Sequence, residues 1–304
     1  RKNTSGYISG ESVDAIDLFI GSEGTLGVIV EAELELFTKP ESFFSGIVFF
    51  ADEHDLLDFV AAVRDASFAN RQFPNPQSRI RNPVGASLIE YFDDRALKFI
   101  SEKFPDVPAD AAGAIFFEQE TTSENEDELL SAWNEFLERH NADVEHSWFT
   151  TTDADREKLR EFRHALPVTV NERIVRNKQK KVGTDMAVPD RNFASFLRFY
   201  KEKLTASGLE YVIFGHIGDN HLHANMIPKN DEEATIARHL YGRFIAQSIM
   251  LGGTISAEHG IGKHKSKYLY VQYGERYVNE MAELKRAFDP KGILGRGNLF
   301  DFGF

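Results

Sequence analysis

The 304-residue chain contains no cysteine, which excludes disulfides and any iron–sulfur cluster held by thiolates. No apolar run approaches the roughly 20 residues that span a bilayer, and no signal-peptide pattern is visible. Basic residues are in deficit. The 35 Lys and Arg face 48 Asp and Glu, a net charge of −13, which argues against nucleic acid or an anionic membrane as the main partner. A local basic pocket for an anionic substrate remains compatible with that balance. Two nucleotide signatures are also missing. Gly21-Ser22-Glu23-Gly24-Thr25-Leu26-Gly27 has the wrong spacing for a Rossmann fingerprint and leads into a strand-like run, and no Gly-Lys-Ser/Thr completes a Walker loop. What these absences leave is a globular protein, expected in the cytoplasm or peripheral to the inner membrane. Its 42% hydrophobic and 27% charged content is ordinary for that class, and its length suits one large domain or two smaller ones.

What is present is a concentration of metal-type ligands near the C-terminus. His216 and His223 lie in Gly215-His216-Ile217-Gly218-Asp219-Asn220-His221-Leu222-His223-Ala224-Asn225, and Glu258-His259 lies between Gly252-Gly253 and Gly260-Ile261-Gly262. Two imidazoles and a carboxylate suit a divalent transition ion with positions left open for water or substrate. Tyr211 to Phe214 is β-prone and 221–227 alternates, so Asp219-Asn220 is expected to be a two-residue hairpin loop. That register sets His216 opposite His223, about 4.5–5.5 Å apart at Cβ. Alternation then places Asn225 on the face of His223, with Leu222, Ala224 and Met226 on the other. His221 falls on the His223 face as well, one step removed, and competes as a ligand.

Elsewhere the pattern predicts a layered α+β body. Residues 32–37 alternate like a strand, and Thr38-Lys39-Pro40 marks a boundary. Phe43 to Phe50 is an apolar strand, followed by a helix with Leu56, Phe59, Val60 and Val63 on one face. Residues 71–85 read as a loop, and 87–91 and 114–117 as strands. Ser123 to Glu126 is a capping box for a helix burying Leu129, Trp133, Phe136 and Leu137. Thr184 to Val188 is a strand, Pro189-Asp190 opens a helix burying Phe193, Phe196, Leu197 and Tyr200, and Asn230 to Glu233 caps a helix carrying Ile236, Leu240, Phe244 and Ile245. The expected architecture is an antiparallel or mixed sheet with helices packed on it. The glycines at 21, 24 and 27 let backbone amides approach a phosphate or a flat ring.

The motifs carry a resemblance. Asn3-Thr4-Ser5-Gly6-Tyr7 and the run from Asp17 to Ile29 look like the end of the FAD-binding domain of the vanillyl-alcohol-oxidase/PCMH flavoprotein superfamily. Gly-His-x-Gly-Asp at 215–219, Glu258-His259-Gly260-Ile261-Gly262 and Phe288-Asp289-Pro290-Lys291-Gly292-Ile293-Leu294 resemble its D-lactate dehydrogenase, glycolate oxidase and D-2-hydroxyglutarate dehydrogenase branch. The resemblance covers essentially the whole chain. It implies a C-terminal remnant of an FAD domain at 1–40, a ferredoxin-like substrate- and metal-binding cap at 41–282, and a segment at 283–304 returning to the FAD domain. It further implies FAD contacts by Ser22, Glu23, Gly24, Gly27, Val28 and Ile29, metal ligation by His216, His223 and Glu258, and a catalytic base at His259. Arg163, expected just upstream of a helix, matches the arginine that holds the substrate carboxylate, Asn225 a substrate-contacting asparagine, and Lys181 is the nearest candidate for a substrate lysine. Two departures stand out. Asn220-His221 replaces the usual Gly-Asn, and Leu294-Gly295-Arg296-Gly297-Asn298 replaces the usual Leu-Asn-Pro-Gly-Lys. The chain opens on Arg1 inside a motif, so it is expected to be a piece of a longer polypeptide whose first flavin-binding half precedes it.

The implied activity is FAD-dependent, metal-assisted oxidation of a D-2-hydroxy acid to the 2-oxo acid. Zinc is the first metal expected, with manganese or iron next. Electrons would pass to a separate acceptor, an electron-transfer flavoprotein, an iron–sulfur subunit or a quinone, and a homodimer is compatible. A metal-dependent hydrolase using metal-bound water and a non-catalytic subunit of an electron-transfer complex are the competing readings.

Overall fold

β1 (Ser42–Phe50) is buried continuously from Phe44 to Phe50, and a strand apolar on both sides must be covered on both faces. Residues 2–8, 10, 13–72 and 83–300 are described by the computed structural model. After β1 come α1 (Glu53–Gln72), β2 (Leu88–Asp93), α2 (Asp94–Ile100), β3 (Gly113–Thr121), α3 (Glu126–Arg139), β4 (Asp143–Thr150), α4 (Asp153–Asn177) and β5 (Val182–Gly183). Then follow α5 (Asp190–Ser207), β6 (Tyr211–Gly215), β7 (His223–Met226), α6 (Asp231–Met250) and α7 (Ser266–Phe288). One seven-stranded sheet runs β4-β1-β3-β2-β6-β7-β5, and every pairing is antiparallel. Its first four strands, with α1 joining β1 to β2 and α3 joining β3 to β4, have the ferredoxin-like order expected for a cap domain.

Strand alternation divides the interior into two cores. Val48, Phe50, Tyr91 and Phe117 face one side with the apolar stripes of α1, α3, α5 and α6. Ile47, Phe49, Phe92 and Phe116 face the other with α2 and α4, including Leu97, Phe162, Leu166 and Val170. Helices therefore cover both faces. Stacking of Phe117 on Trp133, with ring centroids 4.1 Å apart, is one of the contacts that fix α3 to the first face.

Several expectations change in the structure. Residues 32–37 form no strand, and Leu34, Leu36 and Phe37 are exposed, because alternation without a neighbouring ladder leaves the backbone unpaired. The Ser123 capping box does not form. Asn125 Oδ1 instead accepts from Thr122 N at 2.9 Å and Thr121 Oγ1 at 2.8 Å, and the helix starts at Glu126. Ile236 lies on the outer side of α6, 37% exposed. The Asn230 cap does form, with Glu233 N donating to Asn230 Oδ1 at 2.9 Å and Lys229 N to Glu233 Oε2 at 2.8 Å. Most of the expected 71–85 loop lies outside the described residues. The strand expected over 184–188 does not form: β5 ends at Gly183, and only isolated bridges join Ala187 to His221 and Thr254. Side chains divert its ladder, since Thr184 Oγ1 takes Ala224 N at 2.8 Å and Asp185 takes two amides of the Glu258 loop.

Candidate active site

His216 and His223 approach each other by a route other than the expected hairpin. The register is Phe214 opposite His223, so residues 216–222 form a connecting loop and His216 stands outside the ladder. A 3-10 turn at Ile217–Asp219 and a left-handed Asn220, φ 54°, compact this loop. Fully buried Ile217 anchors it, burial of an apolar side chain outweighing continuation of the β6–β7 ladder. The loop still brings the rings within reach, with centroids 6.2 Å apart. Leu222, Ala224 and Met226 point into the core as expected.

Each histidine is oriented from behind. His223 Nδ1 lies 2.9 Å from the Thr184 carbonyl, so that nitrogen carries the proton and Nε2 offers its lone pair. Burial, then the charge of His221, lowers the His223 pKa to about 4, which keeps it neutral. His216 Nδ1 sits 2.8 Å from Glu90 Oε1, and that hydrogen bond raises the His216 pKa against the effect of burial. Glu90 is itself buried and takes Arg163 Nη2 at 2.7 Å. Burial alone would raise its pKa, but His216 and then Arg163 hold it below the usual carboxylate range. His216 Nε2 then faces Glu258 Oε2 at 3.4 Å. Ligand atoms of His216, His223 and Glu258 all lie within 4.8 Å of one another. A carboxylate behind one imidazole and a carbonyl behind the other is the support that metal-binding histidines use. These three residues fit a divalent ion.

Asp185, Glu90 and Lys2 were not singled out in the sequence. Asp185 is a hub. It accepts from Ser256 Oγ at 2.6 Å, Lys265 Nζ at 2.9 Å, and the amides of His259 at 3.0 Å and Glu258 at 3.2 Å. His221 Nε2 is 3.1 Å away, and among the described residues neither nitrogen of this fully buried ring has a well-directed hydrogen bond. Burial would raise the Asp185 pKa, but His221, Lys265 and Ser256 hold it far below normal. Asp185, His223 and His259 form a second group with ligand atoms within 4.8 Å. The lone pairs of Asp185 are already engaged by four donors, so the donor chemistry favours the His216–His223–Glu258 set. Lys2 Nζ bridges Glu258 and Asp219, 3.0 Å from the latter. A carboxylate inside an apolar run, as at Asp185, and one in a buried strand, as at Glu90, are the signals that could have revealed the first two.

His259 stacks on His223, with centroids 5.1 Å apart and planes within 3°. Its side chain is 63% exposed, so it borders the ligand cluster and opens to solvent. Asn225 donates to the His223 carbonyl at 3.1 Å. A Cβ on Gly183 would stand 3.0 Å from Asn225 Oδ1 and 3.7 Å from Lys181 Cε, so glycine there lets both side chains lie close to β5. Lys181 is exposed on the turn between α4 and β5. Arg163 lies within α4, which continues through Pro167; it is not upstream of a helix.

The N-terminal glycine segment packs against the same loop. Glu23 receives the amides of Ile261 and Gly262, the latter at 2.8 Å, and Ser22 Oγ donates to the Phe19 carbonyl at 2.9 Å. Gly24 is met by Gly295 of the C-terminal segment, and residue 283 falls inside α7. Val28 and Ile29 are exposed, by 77% and 70%. The polar atoms of the Ser22 and Glu23 side chains are thus occupied by protein, and what remains for a flat cofactor is backbone, the open face of Gly24 and this apolar edge.

Residues 76–299 match the family described as FAD linked oxidases, C-terminal domain. The chain belongs to that family. Its relatives include glycolate oxidase subunit GlcD of Bacillus subtilis, 27% identical over 98% of this chain and 58% of the relative. They also include a probable mitochondrial D-lactate dehydrogenase of Danio rerio, 25% identical over 99% and 56%, and D-2-hydroxyglutarate dehydrogenase of Stutzerimonas stutzeri, 26% identical over 98% and 60%. The chain therefore spans less than two thirds of each of these relatives. Among solved structures, p-cresol methylhydroxylase superposes with a TM-score of 0.60 at 14% identity, over 86% of this chain and 54% of that one, which establishes a shared fold. No described helix is long and apolar enough to cross a membrane.

Proposed function

We propose that this chain carries the substrate and metal half of an FAD-dependent dehydrogenase that oxidises a D-2-hydroxy acid to the 2-oxo acid and passes electrons to a separate acceptor. The observation that supports this best is the convergence of ligand atoms of His216, His223 and Glu258 beside the exposed ring of His259. When bound, a divalent ion makes the substrate hydroxyl more acidic and FAD provides the electron sink. His216, His223 and Glu258 would hold the ion, with Glu90 and the Thr184 carbonyl fixing the two imidazoles. His259 takes the hydroxyl proton at its ring nitrogen, while Asp185 anchors its backbone amide. Arg163 spends one amino group on Glu90 and keeps donors for a carboxylate, while Asn225 and Lys181 orient the rest of the acid. Ser22 to Ile29 would supply an edge for FAD.

His259→Ala tests the assignment. In the flavin-loaded enzyme it should retain metal and flavin and lose turnover by about 10²–10⁴, the usual contribution of a general base. Turnover within a few-fold of wild type would remove His259 from that role.

A further inference from the structure

A pocket of about 900 Å³ opens between the end of α4, β5, α6 and the start of α7. In a chain of net charge −13 its lining is cationic. Lys178, Lys180, Lys181, Arg238 and Lys267 surround it, Lys265 forms part of its wall, and among the described residues no carboxylate lines it. Lys265 is paired with Asp185. The other five cations make no ion pair among the described residues; Arg238 donates to Thr235 Oγ1 at 2.9 Å and Lys267 lies over the Tyr268 ring.

A solvated lysine-rich turn accounts for part of this. Lys178 caps the C-terminus of α4, where a cation complements the helix dipole. It does not account for Lys267, in the first turn of α7, where the dipole repels a cation and no acidic residue offsets it. By contrast, α1, α3, α4, α5 and α6 all begin with acidic residues. Like charges gathered around one cavity from two helices and a turn cost stability unless an anion occupies their midst.

We propose that this pocket is a binding site for a small multivalent anion, a polyphosphate or a polycarboxylate, with Tyr241 and Tyr268 forming its apolar wall. The pocket includes Lys181, which the proposed function gives to the substrate, but none of His216, His223 and Glu258 lines it, and the other four cations carry the proposal whether or not the oxidase reading holds.

Calorimetric titration of the EDTA-treated, metal-free protein with inorganic pyrophosphate and with citrate tests it, metal removal preventing chelation at the histidine cluster. At least one of the two should bind with 1:1 stoichiometry, more weakly as salt rises. Stronger binding of pyrophosphate would identify phosphate chemistry, and stronger binding of citrate carboxylate chemistry. Lys180→Glu/Lys267→Glu should weaken that binding by at least about tenfold. Both positions are exposed, and an acid in the first turn of α7 favours the helix, so the variant should melt no lower than wild type without ligand. Absence of binding by both anions at millimolar concentration, or equal affinity in wild type and variant, would overturn the proposal.

Discussion

Replacing Asp185 by asparagine keeps the shape of the side chain while removing a charge on which the Glu258–His259 loop depends. The carboxylate holds two loop amides, Ser256 Oγ and the Lys265 ammonium. An asparagine has only one acceptor oxygen for those donors, and its amide group would face some of them. Removing one partner of a buried ion pair costs about 3–5 kcal/mol, and about 1 kcal/mol shifts Tm by roughly 2–4 °C in a domain of comparable size. A drop of roughly 10 °C is therefore expected at neutral pH. The sign of the pH dependence follows from the depressed Asp185 pKa. The stabilisation is complete above the unfolded carboxylate's pKa of about 3.9 and is lost as pH falls below it, by about 1.4 kcal/mol per unit. Differential scanning calorimetry of both proteins at pH 7.5, with parallel metal analysis, provides the assay. The variant should also bind less metal, because Glu258 loses its backbone anchor. A difference under about 1 kcal/mol with unchanged metal content would refute the hub role.

Glu258→Gln should lower bound metal well below one ion per chain by elemental analysis, whereas unchanged stoichiometry would remove Glu258 from the ligand set. Asp93 caps α2 through Oδ1, accepting from Ala96 N at 2.7 Å, while its buried Oδ2 has no well-directed partner among the described residues, and burial raises its pKa to about 7. Its folded pKa exceeds its unfolded one, so ionisation opposes folding increasingly as pH rises toward 7. Asp93→Asn should therefore stabilise the protein more at pH 7 than at pH 5, by up to roughly 3 kcal/mol, read from urea unfolding at both pH values. An equal effect at the two would contradict this.

The periodic parts of the fold were legible in the sequence. The stripes Leu56-Phe59-Val60-Val63 and Phe193-Phe196-Leu197-Tyr200 bury as expected because each marks one helical face. Helix α4 was not legible. Its length comes from packing Phe162, Leu166 and Val170 against the second face of the sheet, a covering that local pattern does not specify. The site was legible as residue types and not as geometry. His216, His223 and Glu258 meet, yet through a seven-residue loop in place of a tight hairpin, because burial of Ile217 and the left-handed Asn220 reshape the turn. Glu90 and Asp185 escaped notice because each is a single acid within an apolar run, and only tertiary contact with a histidine or a loop amide gives it a role. The 32–37 segment shows the converse, an alternating pattern that forms no strand without a neighbour.

The central claim is that metal and flavin act on a 2-hydroxy acid at the His216–His223–Glu258 cluster. Its most direct test is the visible spectrum of the flavin-loaded protein, including any residues that precede Arg1 in the natural polypeptide, mixed anaerobically with D-lactate, glycolate or D-2-hydroxyglutarate. Bleaching of the flavin by at least one of these acids, lost on chelation and restored by adding zinc or manganese, is the expected result. Flavin that stays oxidised with all three acids while metal is bound, or bleaches equally well without metal, would contradict the account.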